Sequence, residues 1–218
     1  MTLKHLLFFM LLPLGLLLSG CKPDKAEIEL YTQDIRDAQD GEVIEVSAYF
    51  EFGLLGDDEE GNLEKARTVA QKYLPEDSTV EIAEGDYGKK LTVRTTLPMG
   101  MEENLDAYLQ EHVRLLAVSL TMNRLELQTT AALKAMNEEL SDINFMLEAE
   151  LPAETTFLRI IGDDRKPLSV SAIAVFVNSV PYLTFSAEVP RRKTEVLEFK
   201  GGDGSVYSQL PIQLQFGG

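Results

Sequence analysis

The chain has 218 residues, 36 Asp/Glu against 20 Lys/Arg, a formal net charge of −16, one cysteine, two histidines and no tryptophan. So acidic a surface argues against nucleic-acid binding, because phosphate contacts need Lys and Arg, and it is repelled by anionic lipid headgroups. A single cysteine excludes an internal disulfide and any multi-cysteine zinc site.

In chain order, residues 1–20 read as a secretion leader: Lys4 supplies the positive end, and the 13 residues 6–18 form an apolar stretch interrupted by Pro13 and Gly15. As a helix that stretch spans roughly 20 Å against about 30 Å of hydrocarbon core, which suits a cleaved signal rather than a permanent span. Leu18-Ser19-Gly20-Cys21 then places an aliphatic residue and two small residues before the only cysteine. This resembles the lipobox of bacterial lipoproteins. The resemblance implies that the Cys21 thiol takes a diacylglyceryl group, that the chain is cut between Gly20 and Cys21, and that the new amine takes a further palmitate-type chain. Lipidation also removes an unpaired thiol from an oxidising compartment, and two or three acyl chains anchor stably where one is marginal. Lys22 stands where inner-membrane lipoproteins of many enterobacteria carry aspartate, so the family's sorting rule implies the outer membrane in a Gram-negative host. Residues 21–26 form the lipidated tether, with a reach of about 20 Å. The body is similar in plan to small lipoproteins carried by phages and prophages, although no motif in 22–218 carries that likeness.

Of the charged residues, only Lys4 leaves with the leader, so the remaining 198 residues carry 19 cations and 36 anions, a net of −17. All of that excess lies in 21–150, with 29 Asp/Glu and 12 Lys/Arg, whereas 151–218 holds seven of each. The charge step near Pro152 suggests an acidic α+β region, 27–151, followed by a mainly β region, 152–218.

Residues 34–41 read as a short helix stopped by Gly41. Residues 43–52 alternate as a half-buried strand, with Ile44, Val46, Ala48, Phe50 and Phe52 on one face. After an acidic loop, Asn62 reads as the cap of a helix to about 74, with Leu63, Ala66, Ala70, Tyr73 and Leu74 inward and Pro75 as its stop. Strands 79–83 and 91–97 flank a turn at Gly85-Asp86-Tyr87-Gly88. Residues 102–114 read as an amphipathic helix with Leu105, Tyr108, Leu109, His112 and Val113 inward. Two readings fit 116–127: a hairpin turning at Asn123-Arg124, or a helix continuing from 102. A helix over 130–142 presents Leu133, Met136 and Leu140, and strands 145–151 and 156–161 follow. On this reading the order strand–helix–strand–strand of 42–97 recurs across 116–161 without residue-level self-similarity. Strands 170–177, 182–189, 194–199 and 206–216 complete the chain, turning at 178–181, 191–193 and 201–204, with Pro211 marking an edge or a bulge. The expected class is α+β: antiparallel sheets with two to three amphipathic helices and a C-terminal β-meander of four strands.

Catalytic signatures are sparse. Beyond the leader there is one histidine, His112, and no cysteine except Cys21, so a thiol nucleophile is excluded and a Ser-His-Asp triad would have to use His112. Its place on an apolar helix face fits a packed structural histidine better. Asp57-Asp58-Glu59-Glu60 offers hard oxygen ligands for Ca²⁺ but lacks EF-hand spacing, and a solvated loop accounts for it. Asp163-Asp164 beside Arg165 reads the same way. Arg191-Arg192-Lys193, the densest basic spot in the mature chain, is a candidate partner contact at a hairpin tip. The expectation is therefore an envelope-anchored, non-enzymatic lipoprotein, a protein-binding or structural module without a cofactor. Its expected partners are the membrane, through the lipid, and an envelope protein. The alternatives are a solute- or Ca-binding lipoprotein, which needs a pocket with convergent polar groups, and a carboxylate-dependent hydrolase, which needs a concave pair of carboxylates.

Overall fold

The structure is a computed structural model that describes residues 24–53, 61–85, 88–144, 147, 149, 153–201 and 214–217. Among these the chain order is β1 (Lys25–Tyr31), α1 (Thr32–Gln39), β2 (Ile44–Gly53), α2 (Asn62–Tyr73), β3 (Thr79–Gly85), β4 (Gly88–Met101), α3 (Glu102–Glu111), β5 (Leu116–Thr121), β6 (Arg124–Thr129), α4 (Ala131–Ile143), β7 (Thr155–Ile161), β8 (Leu168–Val177), β9 (Val180–Val189), β10 (Thr194–Lys200) and β11 (Leu214–Gly217). The leader, Gly20, Cys21, Lys22 and the acidic cluster 57–60 lie outside the described residues.

The strands form one sheet in the order β10-β7-β1-β2-β4-β5-β6-β11-β8, and Glu198 of β10 pairs with Phe176 of β8 to close it into a barrel of nine strands. β3 and β9 flank the wall, on β4 and β8 respectively. Two neighbour pairs are parallel, β1 with β7 and β4 with β5. Paired residues share a face of a sheet, so the register exposes the core as belts around the wall. Leu197, Leu158, Ile28, Ala48 and Thr95 lie side by side on β10, β7, β1, β2 and β4, and Leu120, Leu125, Leu214 and Ala172 continue on β5, β6, β11 and β8. All of these are buried. The opposite face of β1, β2 and β7 carries Glu27, Glu29, Tyr49 and Arg159, with Arg159 ion-paired to both Glu27 and Glu29.

Helices cover both ends of the barrel. α1 follows directly on β1 and buries Ile35 and Ala38. Its N-terminus is capped from a distance: Asp163 Oδ1 accepts from the Gln33 N–H (2.9 Å) and the Thr32 hydroxyl (3.0 Å), while Thr32 Oγ1 accepts from the N–H groups of Asp163 and Asp164. Arg36 pairs with Asp164 at 2.7 Å and donates to the Pro167 carbonyl. Gly41, at φ 108°, turns the chain away after the helix. At the other end α2 and α4 pack on each other, with Lys72 and Tyr73 of α2 both donating to Glu139 of α4. Thr130 caps α4, accepting from the Ala132 N–H and donating to the Leu115 carbonyl. α3 is the crossover between the parallel strands β4 and β5, as parallel pairing requires.

The expected α+β class, with antiparallel sheets, does not hold. Strands make up 53% of the described residues, in a closed mixed barrel, and the four helices have only 8 to 13 residues. The C-terminal meander is also corrected. Only β8 and β9 pair consecutively there; β10 lies beside β7, and β11 lies between β6 and β8. Strand lengths and alternation are local, whereas which edge a strand joins is set by pairing across distant segments, 33 residues apart for Thr194 with Ile161 and 89 apart for Leu214 with Leu125. Residues 27–151 contribute five barrel strands and 152–218 four, so the charge step runs through one wall. Residues 25 and 26 of the expected tether belong to β1. Residues 116–127 form the hairpin β5–β6, turning at Met122-Asn123, one residue earlier than expected. Gly61, not Asn62, occupies the cap position of α2. The predicted turn 201–204, Pro211 and most of the predicted strands 145–151 and 206–216 fall outside the described residues.

The β9–β10 turn is clasped to the end of β7: Gly162 donates to the Lys193 carbonyl (2.7 Å) and accepts from the Arg192 N–H (2.6 Å). A side chain on Gly162 would overlap the Pro190 carbonyl oxygen. Gly162→Ala is therefore expected to lower unfolding free energy by roughly 2–3 kcal/mol in urea melts, and an unchanged midpoint would refute the clasp. Met122 is 81% exposed with φ 52°, so Met122→Asn should raise stability by about 0.5–1 kcal/mol by relieving left-handed strain without losing buried area.

Candidate ligand cavity

The alternation of β2 and β4 sends Phe50, Phe52, Leu91 and Val93 to the face that α2 and α4 cover. On the helices the facing positions are Leu63, Ala66 and Ala70 of α2 and Leu133, Met136 and Leu140 of α4. Two of the three α2 positions are alanine, too short to reach the phenylalanines opposite. The unfilled space is a cavity of about 100 Å³, walled by these side chains together with Gly53, Leu74, Leu97, Leu116, Leu147 and Ala149. It is comparable with the roughly 150 Å³ apolar cavities that stay dry and admit benzene or xenon.

Among the described residues, the polar side chains of the wall are engaged. Thr95 Oγ1 lies 2.8 Å from Ser78 Oγ, one hydroxyl satisfying the other. Asn137 holds residue 149 in place through both amide atoms, donating to the Ala149 carbonyl (3.0 Å) and accepting from its N–H (2.9 Å). Arg114 borders the cavity and turns its guanidinium to the outer network: Nη2 meets Glu45 Oε1 at 2.9 Å and the Tyr108 hydroxyl at 3.0 Å, and Tyr108 donates to the same Glu45 oxygen at 2.6 Å. Burial pushes the Glu45 carboxyl up, but hydrogen bonds from Tyr108, Thr96 and Arg114 outweigh it and hold it below the ordinary value. With the polar side chains of the described residues engaged, the wall offers chiefly dispersion contacts, which suit hydrocarbon and disfavour an ion or a sugar.

The inward residues expected of β2, α2 and α4 line this cavity, whereas none of the described candidate site residues, His112, Asp163, Asp164, Arg191, Arg192 and Lys193, does. His112 was expected to face inward. It is exposed just past the end of α3, which stops at Glu111, and its ring stacks on Tyr108 at 4.2 Å; Val113 is exposed as well. Arg191, Arg192 and Lys193 are exposed in the β9–β10 turn, with Lys193 paired to Glu195. That turn sits at the α1 end of the barrel, since Thr194 pairs with Ile161 and Ile161 with Tyr31, whereas the cavity lies at the Gly53 end. Asp163 and Asp164 hold α1 rather than lying free in solvent. Among the described residues no group of three or more His, Cys, Asp or Glu is arranged to hold a metal ion, and no helix is long and apolar enough to cross a membrane. The signal available in the sequence for the cavity was the pair Ala66 and Ala70 on an otherwise bulky apolar stripe, facing a strand rich in phenylalanine.

The sign of the pH dependence follows from Glu45. A carboxyl held below its ordinary value of 4.5 contributes stability that is present above that value and is lost as pH falls through the folded-state value. Glu45→Gln is expected to melt below the unmutated protein at pH 7, and the difference should shrink as pH falls below the ordinary carboxyl value of 4.5. A deficit that does not vary with pH would remove the carboxylate from this account. Comparison of the chain with protein-family models, with curated proteins and with solved structures finds no match.

Proposed function

We propose that the protein is a lipid-anchored, non-enzymatic binding protein of the bacterial envelope that takes an apolar group into the cavity under α2 and α4. The anchor half of this reading rests on Leu18-Ser19-Gly20-Cys21 and the leader before it. The binding half rests on one observation, an apolar cavity of about 100 Å³ whose few polar wall atoms are already satisfied. A ring or the end of a hydrocarbon chain fits such a space, and each buried methylene contributes about 0.8 kcal/mol. Of the earlier alternatives, this stays nearest to a solute-binding lipoprotein, with the solute defined as apolar rather than as Ca²⁺.

The test is thermal melting with n-decanol. At a concentration about a hundredfold above its dissociation constant a ligand adds about 2.7 kcal/mol, which for a chain of this size raises the melting temperature by roughly 5–10 °C. Ala70→Leu fills the cavity and is expected to abolish the shift while leaving the protein as stable or more stable. An equal shift in both proteins, or none in either, would sink the reading.

A second reading, binding of a protein partner, is favoured by β9. Among the described residues this ten-residue strand pairs with β8 alone, and it exposes Val180 (50%) and Leu183 (65%) beside Tyr182. A free edge with exposed apolar side chains is a template for strand addition. Leu183→Lys is expected to remove a stoichiometric envelope partner from pull-downs with the lipidated chain; retention of that partner by the variant rules this reading out.

A further inference from the structure

The cavity wall reaches the place where the described chain begins. Asp24 donates its backbone N–H to the Glu51 carbonyl (2.8 Å) and accepts from the Thr155 N–H (3.2 Å), which fixes it between the ends of β2 and β7. Its carboxylate occupies the space into which a side chain on Gly53 would project, and Gly53 is part of the cavity wall. Cys21 precedes Asp24 by three residues, a gap of about 11 Å at most when fully extended. An acyl chain spans half of a ~30 Å hydrocarbon core, about 15 Å. The predicted lipid is therefore attached within reach of the one described apolar cavity that could receive it.

We propose that one acyl chain carried by Cys21 seats its terminal methylenes in this cavity. The proposal rests on the apolar-ligand reading and names the occupant. Three features support the protein's own chain over a diffusing molecule. Tethering this close gives a local concentration in the millimolar range. Two chains already anchor stably, so a third can leave the bilayer without releasing the protein. The wall asks nothing of its occupant except apolar surface, because Thr95 and Ser78 satisfy each other and Arg114 is engaged by Glu45 and Tyr108. Bound ligand and seated chain then exclude each other, so filling the cavity from outside returns the chain to the membrane.

The experiment uses the full chain, processed in a host fed a fatty acid with a terminal diazirine and irradiated in native membranes. Peptide mass spectrometry is expected to find the Cys21 peptide acylated and joined covalently to peptides of α2 or α4. That adduct should be lost in Ala70→Phe, with acylation of Cys21 unchanged, and lost in the unmutated protein when decanol is in excess; the decanol arm keeps the test decisive if the variant fails to fold. Cross-links from Cys21 only to lipid or to residues outside the cavity overturn the proposal. So does a phospholipid-sized adduct on α2 or α4, which would make a membrane lipid the occupant, and so does a Cys21 peptide without acyl mass. Decanol stabilisation without the Cys21 adduct removes self-occupancy and leaves the apolar-ligand reading standing; absence of both removes both.

Discussion

The pairing of β1 on both its edges is the constraint from which the rest of the structure follows. Lys25–Tyr31 lies antiparallel to β2 on one side and, over all seven residues, parallel to β7 on the other. The parallel ladder brings residue 155 beside residue 25 and residue 161 beside residue 31, and a chain that has wandered through 120 residues returns to where it began. Without that ladder the β7–β10 pair has no link to β1 and the barrel has no way to close. Buried on both edges, β1 also carries Ala26, Ile28 and Leu30 into the core, so its hydrogen bonds form where water does not compete.

Consequences appear at both ends of that ladder. At the C-terminal end of β1, the loop after β7 is placed against the start of α1, and Asp163 supplies the cap that α1 does not carry itself, since Tyr31 in the cap position makes no side-chain bond. Carboxylate oxygens suit the exposed N–H groups and positive dipole end of a helix, so a short helix of eight residues is held by a residue 130 positions away. At the N-terminal end the ladder fixes Asp24 between β2 and β7 and sets the beginning of the described chain beside Gly53. The same pairing that closes the wall therefore brings Asp24 beside Gly53 of the cavity wall.

The cavity itself comes from unequal side-chain lengths across one layer. α2 and α4 are held together at their surface by Glu139, which receives both Lys72 and Tyr73, and their inner faces cannot move closer to the strands without disturbing that contact. Alanines at 66 and 70 line the same space as phenylalanines at 50 and 52 and leave part of it unfilled. Interiors are otherwise packed to crystal-like density, and deleting atoms here enlarges an existing void: a Leu or Met to Ala change in such a layer costs about 2–5 kcal/mol.

Local pattern in the sequence determined the elements themselves: alternation placed β2, β7 and β10 to within two residues, the small-and-bulky stripe placed α2, and Thr130 marked the start of α4. The expectation of a leader and a lipobox draws only on the order and hydropathy of residues 1–21, which lie outside the described residues. β1 escaped notice because seven residues with three acidic or basic side chains on one face sit directly after the predicted anchor and resemble tether. Only the tertiary structure decided the class, since strand partners separated by more than a hundred residues leave no local trace, and two parallel pairings turn a set of expected hairpins into a barrel. His112 shows the same limit from the other side: a helix that ends at Glu111 instead of 114 moves it from the apolar face into solvent. The cavity exists only once β2, α2, β4, the start of β5, α4 and residues 147 and 149 meet, because empty space is a property of how side chains fit together and not of any one of them.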